Sequence, residues 1–481
     1  MKDRIQPKHA VAIVYVAAMF VNILDTTVVN VVLPTLSREF EATTASIDWV
    51  VTGYLLSLAV WIPASGWVGD RVGTKRTFLF AMVVFTVASV LCGLATSLPE
   101  LVAFRILQGV GGGMLTPVGF AMLMRAFPPA ERANASKVLI IPTAIAPASG
   151  PVIGGLLTDW LSWRWVFFIN LPICVVAFAF GLIFIEEHRE PRAGRFDVPG
   201  FALSGASLAL ILYAVSQGPP RGWGSPLVVG TLALGATAFA ALVAVELSRR
   251  EPMLQFRLLR DRLLRSIMMT STFATGAFLG LLFVMPLFLQ EVRGVSALES
   301  GLTTFPEALG VILFSQVSGR LYPTVGPRRL MVSGLVVLAG LLVLLTRIEL
   351  DTSLWLVRGM MFAMGGAMSF VFIPLQASAF ARIAPADTGR ASAIYNAQRQ
   401  VASAFGVAML ATILAATLPS GHAGDAHQFA QEQVNAFHDV FLVAAGIAAV
   451  GAVVALTVRD VDAVATLRRG PVVRVEATAG E

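Results

Sequence analysis

Apolar runs of about twenty residues recur from one end of this 481-residue chain to the other. Each is long enough to cross a hydrocarbon core of ~30 Å as a helix that rises ~1.5 Å per residue. No water is present at that depth to satisfy backbone N–H and C=O groups, so such segments must close their hydrogen bonds internally. Fourteen spans are expected, at 10–34, 47–67, 77–96, 100–124, 137–158, 165–185, 199–217, 225–246, 265–289, 300–319, 329–346, 353–378, 391–416 and 437–458. Charged residues make up 13% of the chain and its mean hydropathy is +0.77, whereas a soluble domain carries about 25% charge. The predicted fold class is an all-α polytopic membrane protein. The first span is too long, and its end too free of small residues, to read as a removable signal peptide.

The net charge of +6 finds its explanation in placement. With the N-terminus inside, 27 Lys and Arg residues fall in inward-facing segments. Five (Arg38, Arg164, Arg221, Arg293 and Arg347) fall outside, while Arg105, Arg358 and Arg399 lie within spans. This asymmetry predicts cytoplasmic termini and explains the basic balance without a nucleic-acid partner. Cys92 and Cys174 lie in apolar spans and read as small core residues. The five histidines, His9, His188, His422, His427 and His438, lie in loops or at span ends. His422, Asp425 and His427 share the polar loop 417–437, which reads as a plain connector, so no metal site is expected. No GxxxxGK[ST] phosphate loop occurs. Neither an enzyme nor a cofactor is expected.

GWVGDRVGTKR begins at Gly66 and GRLYPTVGPRR at Gly319, an offset of 253 that also relates Arg105 to Arg358 and Gly112 to Gly365. Two six-helix halves of like orientation are therefore expected around an inserted helix pair. The predicted division is 1–190 for the N-terminal bundle, 191–262 for the inserted helices and linkers, 263–460 for the C-terminal bundle and 461–481 for a cytoplasmic tail. The basic linker SRREPMLQFRLLRDRLLR is suited to anionic lipid headgroups.

Three charges inside spans attract attention. Asp25 lies about 22 Å along the first helix, where insertion scales assign a charge ~2.5–3.5 kcal/mol. Arg105, in the fourth span, needs a partner at its depth, and Gln108 lies one turn further on the same face; bonding to backbone carbonyls is the alternative. Glu307 lies about 18 Å from the inner end of its span, with a protonated structural glutamic acid as the alternative. Under the 253 offset Asp25 falls on Phe278 and Glu307 on Tyr54, so neither acid has a symmetric twin. Asn22, Asn30, Trp49, Tyr54, Gln376 and Asn396 join Asp25 and Glu307 as candidate substrate contacts.

In residues 66–76, Gly66, Gly69 and Gly73 permit tight turning and close helix approach. Asp70 is placed to pair with a base or cap a helix, and Arg71, Lys75 and Arg76 to pair with acids or lipid phosphates. Together they are expected to form a latch between the halves. In PASGPVIGG, Gly150, Gly154 and Gly155 allow close packing, and Pro147 and Pro151 allow a bend.

With LDTTVVNVVLP, RILQGVGGGM and WRWVFFINLP, these stretches make the chain resemble the major facilitator superfamily, in its fourteen-helix drug:H+ antiporter family, over residues 10 to about 460. The resemblance implies a multi-pass protein of a bacterial cytoplasmic membrane, two six-helix bundles plus two inserted helices, and proton-driven efflux of hydrophobic cationic or neutral molecules. It implies that Arg105 neighbours the proton-carrying acid Asp25, that Glu307 serves cation recognition or a second proton, and that 147–155 is the antiporter motif. The expected partners are a small hydrophobic substrate, protons and membrane lipids, with the protein a monomer. An exporter of a lipid, siderophore or endogenous antibiotic is the alternative.

Overall fold

The computed structural model describes residues 6–190, 196–249, 252–419 and 426–467. The side chains of Pro151 and His427, and residues His422 and Asp425, lie outside the described residues. The N-terminal half contains α1 (Pro7–Glu39), α2 (Thr44–Ile47), α3 (Trp49–Val72), α4 (Thr74–Leu94), α5 (Leu98–Ala126), α6 (Arg132–Trp160), α7 (Trp165–Phe168) and α8 (Asn170–Phe184). The inserted helices are α9 (Val198–Arg221) and α10 (Pro226–Ser248). The second half contains α11 (Arg262–Leu287), α12 (Ala297–Thr304), α13 (Pro306–Val325), α14 (Pro327–Leu345), α15 (Leu354–Ser378), α16 (Thr388–Thr417) and α17 (Ala426–Ala455).

Among the described residues, twelve helices are long and apolar enough to cross a membrane. The two expected spans outside that set are 137–158, which lies in α6, and 300–319, which is divided between α12 and α13. Pro306 causes that division: it has no N–H, and its ring crowds the carbonyl four residues back. The expected span 165–185 is likewise broken at Ile169, between α7 and α8.

The two halves repeat their packing. α3 lies on α5 as α13 lies on α15, and α1 lies on α6 as α11 lies on α16. Gly73, with φ +117°, and Gly326, with φ +86°, make the same left-handed turn in the two halves. Each turn is closed by an acid that follows the last helix of its half. Glu187 accepts from the backbone N–H of Lys75 at 3.0 Å, and Asp460 from that of Arg328 at 2.9 Å. These carboxylates satisfy free N–H groups and oppose the positive helix ends.

Two expectations change here. The tail expected from 461 is part of the fold as far as Leu467: Asp460–Thr466 form a 3₁₀ turn in which Tyr322 and Thr466 share a hydrogen bond of 2.5 Å, both side chains buried. The inserted helices also do more than separate the halves. α9 packs against both α3 and α16. Trp61 meets Phe201 at 5.3 Å, and Trp223 donates to Thr412 Oγ1 at 2.7 Å, so the pair bridges the seam.

Candidate functional site

Asp25 is the centre of a closed polar cluster assembled from α1, α3, α4, α5 and α8. Arg105 Nη1 donates to Asp25 Oδ2 at 2.5 Å. Gln108 Nε2 and Asn170 Nδ2 donate to Oδ1 at 2.9 and 3.0 Å. Arg105 also donates to Gln108 Oε1 at 2.7 Å and, through Nε, to the Val50 carbonyl at 3.0 Å. Its guanidinium carbon lies 4.2 Å from the centre of the Tyr54 ring, a favourable cation–π position. Asp25 is 1% exposed, and Arg105, Gln108 and Asn170 are 0% exposed. A charge pair this deep is tolerated because both Asp25 oxygens and the Nε and Nη1 of Arg105 are hydrogen-bonded, while Nη2 has no hydrogen-bond partner among the described residues. Arg105 therefore has both an acid and a backbone carbonyl as partners, joining the two readings the sequence left open.

Around this centre a second layer fixes orientations. Tyr54 donates to Asn22 Oδ1 at 2.6 Å, and Asn22 donates to Thr116 Oγ1 at 3.3 Å. Asn170 also donates to Ser89 Oγ at 2.9 Å, while Ser89 donates to the Phe167 carbonyl at 2.8 Å. Sequence reasoning missed Asn170 and Ser89. The available signal was an amide in the apolar stretch WRWVFFINLP, the first residue of α8 after the helix break.

Glu307 lies elsewhere. It occupies the first turn of α13, is 7% exposed, and has no hydrogen bond or ion pair among the described residues. Its backbone carbonyl faces Gly365 of α15, whereas in the first half the Tyr54 carbonyl faces Gly109 and its hydroxyl faces Gly112. Its helix packs on α15 and α6. Gln376 and Asn396 are buried in the same half; Asn396 donates to the Ser392 carbonyl at 2.9 Å, and Gln376 Oε1 has no partner among the described residues. Asn30 is exposed on α1. Trp49, a candidate substrate contact, is 42% exposed and stacks on Tyr213 of α9 at 5.9 Å. The turn α2 and the start of α3 set it at the bundle's edge, where the inserted helices cover it.

The halves meet at the face that carries residues 66–76. Arg125 Nη2 donates to Asp70 Oδ1 at 2.8 Å within the first half. Gly389 of α16 abuts that carboxylate, and a Cβ on Gly66 would fall 2.7 Å from the Gly389 carbonyl oxygen. Arg132 donates to the Phe380 carbonyl, and Ser392 to that of Pro117, at 2.8 and 2.7 Å. Lys75 and Arg76, expected to tie the halves together, instead bind inside the first one. Both backbone N–H groups reach Glu187, and Lys75 Nζ donates to the Leu182 carbonyl at 2.8 Å. Their position in the first turn of α4, facing the end of α8, accounts for it. Arg71 is exposed, and Gly69 is buried against Val118. In the 147–155 motif, a Cβ on Gly150 would collide with Thr27 of α1, Gly154 is buried, Gly155 has open space, and Pro147 is half-buried.

Comparison with known proteins identifies this architecture. The family model described as Major Facilitator Superfamily matches residues 15–407. The chain belongs to the major facilitator superfamily. This major facilitator chain is 34% identical over 396 residues to the multidrug resistance protein B homolog of Mycobacterium tuberculosis, covering 81% of the chain and 73% of the relative. It is 32% identical over 406 residues to the puromycin resistance protein of Streptomyces alboniger, covering 83% and 80%. The tetracenomycin C resistance and export protein of Streptomyces glaucescens is 31% identical over 399 residues, covering 82% and 73%. The human organic anion transporter MFSD10 shares the fold, with a TM-score of 0.66 at 15% identity, over 92% of this chain and 99% of that one. Membership makes this a multi-pass membrane transporter of small molecules, not an enzyme.

Proposed function

We propose that this protein exports hydrophobic, cationic or neutral, small molecules across a bacterial cytoplasmic membrane in exchange for protons. The observation that carries the proposal is the Asp25–Arg105 pair, a buried carboxylate whose charge is balanced by one guanidinium. Bound to Arg105, Gln108 and Asn170, Asp25 is stabilised as the anion; withdrawal of Arg105 leaves a carboxylate that gains from taking a proton. A shift of α5 relative to α1 within the N-terminal half, coupled to rocking of the halves about the bridged seam, supplies that withdrawal. The face closed by Asp70, Arg125 and Gly389 is the cytoplasmic one in this reading, because the basic residues concentrate there. Glu307, buried with no side-chain partner among the described residues, recognises the charge of a cationic substrate. The names of the relatives, which are multidrug resistance and antibiotic export proteins, support efflux as the direction.

A second reading, export of one defined antibiotic, draws on the relative named for tetracenomycin C. The deciding experiment uses proteoliposomes with an imposed proton gradient. Asp25→Asn is expected to abolish gradient-driven export while leaving the fold intact, and unchanged export would overturn the proton-carrier role. A substrate panel in cells lacking other efflux pumps separates the broad specificity from the narrow.

A further inference from the structure

Asp25 has three donors on two neighbouring helices, and they differ in freedom. Arg105 can only donate. Gln108 is fixed: its Nε2 donates to Asp25 while its Oε1 accepts from Arg105. Turning that amide over would aim its NH₂ at the guanidinium. Asn170 is not fixed in this way. Its Nδ2 supplies both contacts, to Asp25 Oδ1 and to Ser89 Oγ, while its Oδ1 is buried with no hydrogen-bond partner among the described residues.

A buried amide oxygen left without a donor is costly, unless another state of the site uses it. Turning the Asn170 amide by half a rotation would exchange Nδ2 and Oδ1 between the same two neighbours. A protonated Asp25 could then donate to Oδ1, and Ser89 could redirect its hydroxyl from the Phe167 carbonyl to the same atom. The titratable groups that face Asp25 are Arg105 on α5, Tyr54 on α3, Cys92 on α4 and Cys174 on α8. None of these offers an acceptor to one protonation state and a donor to the other from a neutral, freely turning group beside Oδ1.

We propose that Asn170 is a positioning residue for the proton site, its amide donating to ionised Asp25 and, turned over, accepting from protonated Asp25. This rests on the reading of Asp25 as the proton carrier. The position suits the role, because Asn170 begins α8 directly after the break at Ile169, and α8 packs on both α1 and α4.

The test uses the full-length protein in proteoliposomes. Asn170→Leu removes both modes, and the ionised form loses more because a hydrogen bond to a charge is the stronger one. The midpoint of the pH profile for proton-driven export is expected to move about one pH unit to the alkaline side. Asn170→Gln keeps an amide and is expected to restore the profile toward wild type. Side-chain-isotope-edited infrared spectra of the wild type are expected to show an asparagine amide carbonyl band that shifts with pH and is static in Asp25→Asn. An unmoved midpoint in folded Asn170→Leu overturns the proposal. If that variant does not fold, a pH-independent amide band in the wild type overturns it. Proton-driven export surviving in Asp25→Asn defeats the parent reading. Export lost there, beside an unmoved profile in Asn170→Leu, defeats this one alone.

Discussion

Asp70 and Gly389 stand on opposite halves of the transporter, yet a single methyl group on Gly389 would lie 2.7 Å from Asp70 Oδ1. Asp70 is already engaged by Arg125 at 2.8 Å, so the contact joins a charged pair in one half to bare backbone in the other.

Gly389→Ala is therefore expected to weaken closure at that face. Overpacking of this kind costs ~1–3 kcal/mol, enough to shift a two-state population by roughly 5- to 150-fold. Spin labels on α3 and α16, read by pulsed dipolar distance measurements, should show a longer distance population at this face. An unchanged distribution counts against the latch.

Breaking the Asp25–Arg105 pair from one side should harm the fold more than removing both charges. Arg105→Ala is expected to destabilise by ~3–5 kcal/mol, since it leaves an unpaired buried carboxylate. The double variant Asp25→Asn, Arg105→Gln should regain much of that loss in thermal melts while remaining inactive in proton-driven export. Equal melting of the single and double variants would contradict the pairing.

Glu307→Gln should separate substrates by charge. Cationic compounds are expected to lose at least tenfold in export rate, on the order of 1.4 kcal/mol, whereas neutral ones stay near wild type. Equal losses for both classes would move Glu307 from substrate recognition to coupling.

Glu187→Gln and Asp460→Asn should act alike, because each carboxylate closes the same turn in its own half. Each is expected to cost ~0.5–2 kcal/mol in stability, as lost helix caps do, without altering substrate selectivity. Differential melting together with a substrate panel checks both parts.

Much of the site was legible as isolated positions. A charge within an apolar run stands out, so Asp25, Arg105 and Glu307 could be singled out without coordinates. The offset of 253 announced two halves, and packing repeats it. Asn170 was hidden because an amide near a helix break is unremarkable in sequence; it joins Asp25 across 145 positions only through folding. Trp49 and the Lys75–Arg76 pair were placed by residue type, and their neighbours, Tyr213 on α9 and Glu187 just after α8, are brought to them by helix docking that no local pattern encodes.

The sequence by itself determined the solvent, the helical class, the repeat and the acids in the spans, because burial in hydrocarbon leaves the backbone few choices. Only the tertiary structure decided which charges meet. It put Arg105 on Asp25 and left Glu307 without a partner among the described residues, because a buried charge takes the donors that packing brings within hydrogen-bond reach, whatever their separation along the chain.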